Sequence, residues 1–280
     1  MEKSILTYEG KLLTGVSFVV KELTGKEQRL MTEQGDKKQG DSFLEMMESI
    51  VISIGSVQNP KKDFIKKLLS GDRKKILLEA RKFSLIGTDQ ENKFTFNYKY
   101  TNSKKTKEEH EFVVDLSNGC PETPYPIFDP KTGEVQKDET GKPLPVVCTE
   151  YDQVQKDVTI TLPRSKKQVI FTLLDGFGED IATLSKKKDK SSHTTLQMRN
   201  PRELYKKESS SEAIPIQLHL DSLSLVDIEY LRKAIKNVEG EVDTIVEFEH
   251  PEAEIKIGSE KTVRIDLVSQ PAFFFPSGAI

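Results

Sequence analysis

The chain offers few groups with the chemistry of a catalytic site. Its histidines, His110, His193, His219 and His250, share no HxxxH or HExxH spacing, so they match no zinc-protease pattern and none stands out as a general base. The nucleophile-elbow pattern Gly-x-Ser-x-Gly is missing from the sequence as well. We therefore predict no catalytic residue and no small-molecule substrate.

Carboxylates are plentiful, and several stand where a helix start favours an acid: Glu27, Asp72, Asp175 and Asp227. An acid in the first helical turn is stabilised by the unpaired N–H groups and by the helix dipole. A structural role is therefore the main interpretation. The alternative is a small hydrolase that gathers scattered carboxylates into one cleft, which requires two or more acids with a raised pKa there.

Metal binding is not favoured by the cysteine pattern. Cys120 and Cys148 flank a segment rich in proline and glycine, and a tetrahedral site would need two further ligands near them. The histidines are distant in the sequence. We predict free thiols, no metal and no cofactor.

A basic run consists of Lys186, Lys187, Lys188 and Lys190. It lacks neighbouring aromatic residues on which bases could stack, so a solvated loop is the main interpretation. A nucleic-acid-binding module that uses this run is the alternative. The formal net charge of −3 provides no overall attraction to nucleic acid or to an anionic membrane.

The C-terminal segment VSQPAFFFPSGAI is unusually apolar for a chain end. Phe273, Phe274 and Phe275 are bracketed by Pro271 and Pro276, which excludes a central strand. Leaving three phenylalanines in water is costly. Either they complete the core of the second half of the chain, or they bind a groove in another protein, and we name all three as candidate partner-binding residues.

These groups lie on two halves that repeat one order of elements. Each half contains a strand or strand pair, a capped helix, a second helix with an acid in its first turn, and a two-stranded ribbon that ends in an aspartate. The equivalent positions, at offsets of 151, 155 and 151, are Gly25 and Gly176, Asp72 and Asp227, and Asp115 and Asp266. The pattern predicts an α+β fold of two pseudo-repeated modules, each strand–helices–β-ribbon, joined by a Pro/Gly-rich excursion.

Local signals predict where helices begin and end. The predicted N-caps are Thr24, Ser42, Ser70 and Ser224. The first two have glutamate three positions on, Glu27 and Glu45, which is the spacing of a capping box. The helix that starts at Ser42 is predicted to end at Gly55.

Three domains follow from this order: residues 1–116, 117–156 and 157–280. Residues 117–156 contain FDPKTGEV and DETGKPL, which predict two turns beside a short ribbon in an ordered, exposed excursion. The ribbons are predicted as KFTFNYKY and FVVDL around the turn TNSKKTKEEHE, and as DTIVEFEH and KTVRIDL. The polar segment from about 186 to 213 is a candidate for disorder or for ordering on contact with a partner.

Targeting signals and membrane spans are missing from the sequence. No stretch approaches the roughly 18 apolar residues of a spanning helix. The start, MEKSILTYEG, lacks the apolar core of a signal peptide. We expect a soluble protein of the cell interior without a membrane partner.

The order of several segments resembles a known family. KELTGKEQRLM, then LLSGDRKKILLEARKFSLIG, then a ribbon ending in Asp115, and finally FFFPS resemble the T-even-type phage baseplate hub assembly proteins and tail-assembly relatives of contractile-tailed phages. The resemblance covers both modules. Many relatives carry paired cysteines in the ribbons, whereas TNSKKTKEEHE and HPEAEIKIGSEK contain none.

The resemblance implies a function without catalysis. Such proteins bind other phage tail and baseplate proteins while the baseplate is built, either as a subunit or as an assembly chaperone. It implies localisation in the host cytoplasm during assembly, and in the virion if the chain stays as a subunit. Exposed ribbon edges would offer sites for strand addition.

Overall fold

Alternating apolar residues form antiparallel hairpins at the start of each half. In the first hairpin Phe18 and Val20 are buried while their neighbours face outward, and in the second Val158 and Ile160 are buried in the same way. The computed structural model describes residues 6–32, 39–185, 194–206, 213–256 and 258–275, and it has an α+β fold. The lysine run at 186–190 and His193 lie outside the described residues.

The first half forms an antiparallel sheet, two helical pairs and a ribbon. Its elements in chain order are β1 (Thr7–Lys11), β2 (Ser17–Lys21), α1 (Gly25–Thr32), α2 (Gln39–Ile50), β3 (Val51–Ile54), β4 (Val57–Gln58), α3 (Lys62–Lys67), α4 (Ser70–Ser84), β5 (Lys93–Thr101) and β6 (Lys107–Asp115). The sheet has the strand order β1-β2-β3-β4, and β5 pairs with β6 as a separate ribbon.

The second half has a similar sequence of elements after a connecting segment. They are β7 (Glu122–Thr123), β8 (Asp157–Thr161), β9 (Gln168–Thr172), α5 (Gly176–Ser185), α6 (Thr194–Gln197), β10 (Arg202–Lys206), β11 (Ala213–Gln217), α7 (Leu225–Val238), β12 (Glu241–Val242), β13 (Ile245–Glu249), β14 (Thr262–Asp266) and α8 (Pro271–Phe274). The sheet has the order β11-β10-β9-β8, β13 pairs with β14, and β7 of the connecting segment pairs with β12.

The predicted caps are confirmed at two positions. Glu27 accepts a hydrogen bond from the backbone N–H of Thr24 at 3.0 Å, as in a capping box. The Ser224 hydroxyl accepts from the Asp227 N–H at the start of α7. Helix α5 begins after Asp175, whose carboxylate accepts from two backbone N–H groups of the first turn.

The prediction for residues 42–55 is wrong at both ends. Helix α2 begins at Gln39, so Ser42 lies inside it and is buried, and its hydroxyl has no hydrogen-bond partner among the described residues. The helix ends at Ile50, and Val51–Ile54 form β3 because they pair with β2 and bury their side chains in the sheet. Gly55 has a φ of +54° and forms the turn after this strand.

Ser70 is also wrong as an N-cap. The N-cap of α4 is Leu69, and Ser70 is the first helical residue. The Ser70 N–H donates to the backbone oxygen of Leu174, and its hydroxyl donates to Glu179 of α5 at 2.7 Å. Ser70 therefore joins the two halves instead of capping its own helix.

Two segments contain more regular structure than the sequence predicts. Strand β6 begins at Lys107, so most of TNSKKTKEEHE is strand, and Tyr98 and Tyr100 stack on each other along the extended ribbon. Part of the segment 186–213 is also ordered, because it contains α6 and β10. In both places the alternating apolar pattern extends over too few residues to distinguish a strand from a loop.

Residues 117–156 contain the two predicted turns. Asp129 accepts a hydrogen bond from the Gly133 N–H, and Asp138 accepts from the Gly141 N–H, through their backbone oxygens. The excursion is not wholly exposed, however, since Tyr125 and Tyr151 are buried. These two side chains are packed between the halves.

The two cores exchange residues across the halves. Leu13 and Leu69 of the first half lie in the core built mainly by the second half. In return, Phe273 and Phe274 lie in the core of the first half. The ring centroids of Phe273 and Phe94 are 5.3 Å apart there. The expectation that the tail completes the core of the second half is therefore wrong.

No helix among the described residues is long and apolar enough to cross a membrane.

Replacing Phe273 tests the exchange of cores. Phe273 is fully buried, so Phe273→Ala should lower the free energy of unfolding by about 3–5 kcal/mol in urea denaturation. Phe177 is 45% exposed, so Phe177→Ala should cost less than about 1 kcal/mol. Equal effects of the two substitutions would contradict the packing described for the tail.

Candidate functional site

The start of helix α4 is buried at the junction of the two halves and the connecting segment. Two of the N–H groups there bind tyrosine hydroxyls instead of a capping side chain. The Tyr151 hydroxyl accepts from the Leu69 N–H at 2.5 Å, and the Tyr125 hydroxyl accepts from the Gly71 N–H at 3.2 Å. A side chain at position 71 would meet the backbone of Gly240 at 2.9 Å, so glycine is required there.

Asp72 lies at this junction and is completely buried. The N–H and the hydroxyl of Thr14, in the turn between β1 and β2, donate to its carboxylate at 3.2 and 3.0 Å. The Tyr151 hydroxyl donates to it at 3.2 Å. Burial raises the pKa of Asp72 to about 6, although these hydrogen bonds act in the opposite direction.

Asp227 makes the corresponding contacts in the second half. The N–H groups of Arg164 and Ser165, in the turn between β8 and β9, donate to its carboxylate at 2.9 and 3.1 Å. Burial acts to raise the pKa of Asp227, but these hydrogen bonds outweigh it and hold the pKa below its usual value. In both halves, an acid of the first helical turn ties the long helix to the turn of the first hairpin.

The other predicted acids also bind backbone and hydroxyl groups. Burial acts to raise the pKa of Glu27, but hydrogen bonds from Thr24 and Ser49 and the charge of Lys21 lower it overall. Asp175 accepts hydrogen bonds at the start of α5. The structure therefore gives each of the four acids a structural partner.

No cleft in the described structure collects acids with raised pKa values. Among these residues Asp72 is the carboxyl group with a raised pKa, and it is buried away from any opening. A cavity of about 420 Å³ between α4 and α7 contains Glu239, but Arg199 forms a bidentate ion pair with it at 2.8 and 2.6 Å. This ion pair occupies both carboxylate oxygens of Glu239.

Cys120, Cys148 and His250 lie in separate surroundings. Cys120 and Cys148 are free thiols, and burial raises the pKa of both. His250 is enclosed by the rings of Tyr98 and Tyr100, and its Nδ1 accepts from the Glu252 N–H. No cluster of three or more His, Cys, Asp or Glu side chains that could hold a metal occurs in the part of the chain that the structure describes.

Arg81 fixes the candidate tail residues inside the protein. This buried arginine donates from Nε to the backbone oxygen of Phe273 at 2.7 Å, and its guanidinium lies 4.4 Å from the centre of the Phe273 ring. Its Nη2 donates to the backbone oxygens of Gln90 and Lys93, and its Nη1 donates to that of Glu91. Burial lowers the pKa of Arg81 to about 10.

The tail is therefore packed against its own chain. Phe273 and Phe274 are buried, and Phe275 is half-buried against the same core. Of the two interpretations of this segment, packing within the protein itself applies to Phe273 and Phe274. They offer no exposed anchor to a partner in this conformation.

An exposed apolar surface lies elsewhere, on the hairpin of β10 and β11. Tyr205 is 52% exposed, Ile214 56% and Ile216 43%. Tyr205 pairs with Ile214, and Ile216 pairs with Glu203, so these four side chains share one side of the hairpin, which we call the hairpin face. The sequence analysis misses it because Tyr205 lies within the polar segment 186–213 and no strand is predicted at AIPIQ, although the alternation of isoleucines there is a signal for a strand.

The hairpin face continues the apolar side of the second sheet. Glu203 pairs with Val169 of β9, and Val169 is buried in the core. Helix α7 covers that core through Ile228 and Leu231. The same sheet surface therefore passes from a covered region on β8 and β9 to an uncovered one on β10 and β11.

Comparison with known proteins gives no family. No family model, no curated protein and no solved structure matches the chain.

The raised pKa of Asp72 predicts how stability depends on pH. The folded protein holds a proton that the unfolded chain releases near pH 4, so this group's contribution is complete below about pH 4 and is lost as pH rises through about 6. The loss is on the order of 3 kcal/mol at about 1.4 kcal/mol per pKa unit. Asp72→Asn should therefore gain stability relative to the wild type between pH 4 and 6.

Urea denaturation across this pH range measures the difference. Asp63→Asn controls for the loss of one exposed carboxylate. A constant difference between the wild type and Asp72→Asn from pH 4 to 7 would contradict a protonated, buried Asp72.

The contacts of Arg81 predict a second stability effect. The planar guanidinium of Arg81 donates to several backbone oxygens at once, which the single ammonium of lysine cannot do. Arg81→Lys keeps the charge but should lower the free energy of unfolding by about 2 kcal/mol or more. Arg164→Lys, at an exposed side chain, should have little effect. Limited proteolysis should also remove the C-terminal segment faster in Arg81→Lys, and equal rates would show that Arg81 does not hold the tail.

Proposed function

We propose that the chain is a non-enzymatic tail or baseplate protein of a contractile-tailed phage. It acts at or near the central hub by contact with other tail proteins, as a subunit or as an assembly factor that leaves. It would work in the host cytoplasm during assembly, and as a subunit it would remain in the virion. The proposal begins from the resemblance of KELTGKEQRLM, LLSGDRKKILLEARKFSLIG and FFFPS to such proteins.

The observation that carries the proposal is the uncovered hairpin face. A soluble chain that leaves tyrosine and isoleucine side chains about half exposed on a continuous sheet surface gains free energy when another protein covers them. The acids support the same interpretation, because each of the four acids is used for holding the fold. Binding, rather than bond cleavage, is therefore the activity that the described geometry favours.

We also propose that the halves are two copies of one module. Each half has a hairpin, two helices, a second strand pair, a long helix and a ribbon, in that order. In each, the acid of the first turn of the long helix binds the turn of the first hairpin: Asp72 binds Thr14, and Asp227 binds Arg164. The hairpin turns are about as far apart in sequence as the acids, which supports duplication.

The test is to locate the protein in infected cells. Quantitative mass spectrometry of purified particles, and of tail complexes separated from lysate by size, should find the chain in one of the two. A fixed copy number in particles would identify a subunit. A stoichiometric complex in lysate without retention in particles would identify an assembly factor.

The contradicting result is equally clear. A chain that is absent from particles and elutes alone from lysate is not a tail protein. Arg81→Lys should loosen the tail inside the fold. If this variant is incorporated into particles less than the wild type, the reduction reflects a loss of folding rather than a loss of contacts.

A further inference from the structure

The two β-ribbons, β5 with β6 and β13 with β14, pack against each other. Phe112 of the first ribbon stacks on Phe248 of the second, with 4.4 Å between the ring centroids. The core between the ribbons is small, since its buried members are Phe112, Val263 and Ile265. Contacts outside this core therefore matter for holding the ribbons together.

Hydrogen bonds join the turns at the tips of the two ribbons. Glu252, in the turn between β13 and β14, accepts from the N–H of Ser103 at 3.1 Å and from its hydroxyl at 2.9 Å. Ser103 lies in the turn between β5 and β6. The Glu252 N–H in turn donates to Nδ1 of His250 at 3.0 Å. We call these contacts of Ser103, Glu252 and His250 the ribbon clasp.

The ribbon clasp requires a neutral imidazole at His250. Nδ1 accepts a hydrogen bond only while it carries no proton, and in the protonated ring it would point an N–H at the N–H of Glu252. His250 is 7% exposed, and its ring lies 5.6 and 5.1 Å from those of Tyr98 and Tyr100. Water therefore has little access to solvate an imidazolium at this position.

The charged groups of the second ribbon leave the neutral form favoured. Burial lowers the pKa of His250, and the charge of Lys256 acts in the same direction, whereas Glu252 and Glu260 act against them. The folded protein therefore binds this proton less readily than an open or unfolded chain, whose histidine titrates near about pH 6.5. The contribution of the clasp to stability is complete above about pH 6.5, and it is lost as the pH falls through the lower pKa of the folded state.

The first ribbon places two tyrosines and a second histidine near the clasp. Glu108 is bound to the hydroxyl of Tyr100 at 2.8 Å. His110 pairs with Tyr98 on the neighbouring strand, is exposed, and has its ring 4.7 Å from that of Phe112. His110 titrates in the same pH range as an ordinary histidine, so it serves as the matched control for His250.

We infer that the ribbon clasp is a pH-sensitive switch: protonation of His250 breaks its bond to the Glu252 N–H, releases Ser103 and separates the tips of the two ribbons. The opening exposes the rings of Tyr98 and Tyr100, which His250 covers. The inference does not depend on the proposed function, because it concerns contacts between the two ribbons of one chain.

NMR spectra of the full-length ¹⁵N-labelled protein between about pH 7.5 and 5 test the switch. The amide signals of Ser103 and Glu252 should move together as the pH falls below about 6.5, and the ratio of open to closed clasp should rise up to about tenfold per pH unit. The carboxyl group of Glu252 does not produce this response, since the hydrogen bond from the Ser103 N–H holds its pKa below its usual value. The imidazole signals of His250 should follow the same curve.

Variants identify the group that titrates. The side-chain oxygen of His250→Asn can accept from the Glu252 N–H as in an Asx turn and does not titrate, so the signals of Ser103 and Glu252 should stay fixed over this range. His110→Gln removes the exposed histidine. Asp72→Asn removes the buried carboxyl group whose pKa is about 6. Both of these variants should respond as the wild type does.

Three results would overturn the inference. The first is an absence of movement of the Ser103 and Glu252 signals in the wild type, as expected if the protonated ring turns to a carboxylate and the clasp stays closed. The second is an equal response in His250→Asn, or its loss in His110→Gln. The third needs no variant: imidazole signals of His250 that follow a different curve from the Ser103 amide.

Discussion

One interaction fixes each half of the molecule: a carboxylate in the first turn of the long helix holds the turn of the first hairpin. Asp72 binds Thr14, and Asp227 binds the N–H groups of Arg164 and Ser165. A buried hydrogen-bonded acid is costly to leave unpaired, so the hairpin and the helix keep one relative position. The sheets, and everything packed on them, take their place from this contact.

The halves then depend on each other because their cores exchange residues. The tail of the second half enters the first core, where Arg81 holds the backbone of Phe273. The helix that carries Asp72 is in turn capped by Tyr125 and Tyr151 of the connecting segment. The side chains of Phe273 and Phe274 are thereby removed from solvent, whereas Tyr205, Ile214 and Ile216 stay exposed on the hairpin of β10 and β11.

The sequence predicts the structural features that depend on neighbouring residues. It does not reveal the features that depend on contacts between residues far apart in the chain. The Thr24 and Ser224 caps, the α5 start and the paired ribbons follow from local spacing, and the structure confirms them. Ser70 failed as a cap because Leu174 and Glu179, about a hundred residues away, bind it. The tail is predicted for the core of the second half or for a partner's groove, because no local pattern shows which core receives it. The hairpin face is missed because Tyr205 lies in a mostly polar segment, where a short strand resembles a loop.

The central claim is that the chain works by contact through the hairpin face. Hydrogen exchange, measured on the isolated protein and on the protein within purified tail complexes, tests it most directly. The account predicts slower exchange in 202–206 and 213–217 within the complex, while the ribbon at 93–115 exchanges as before. Slower exchange confined to the ribbon or to other segments, with the hairpin unchanged, would contradict it.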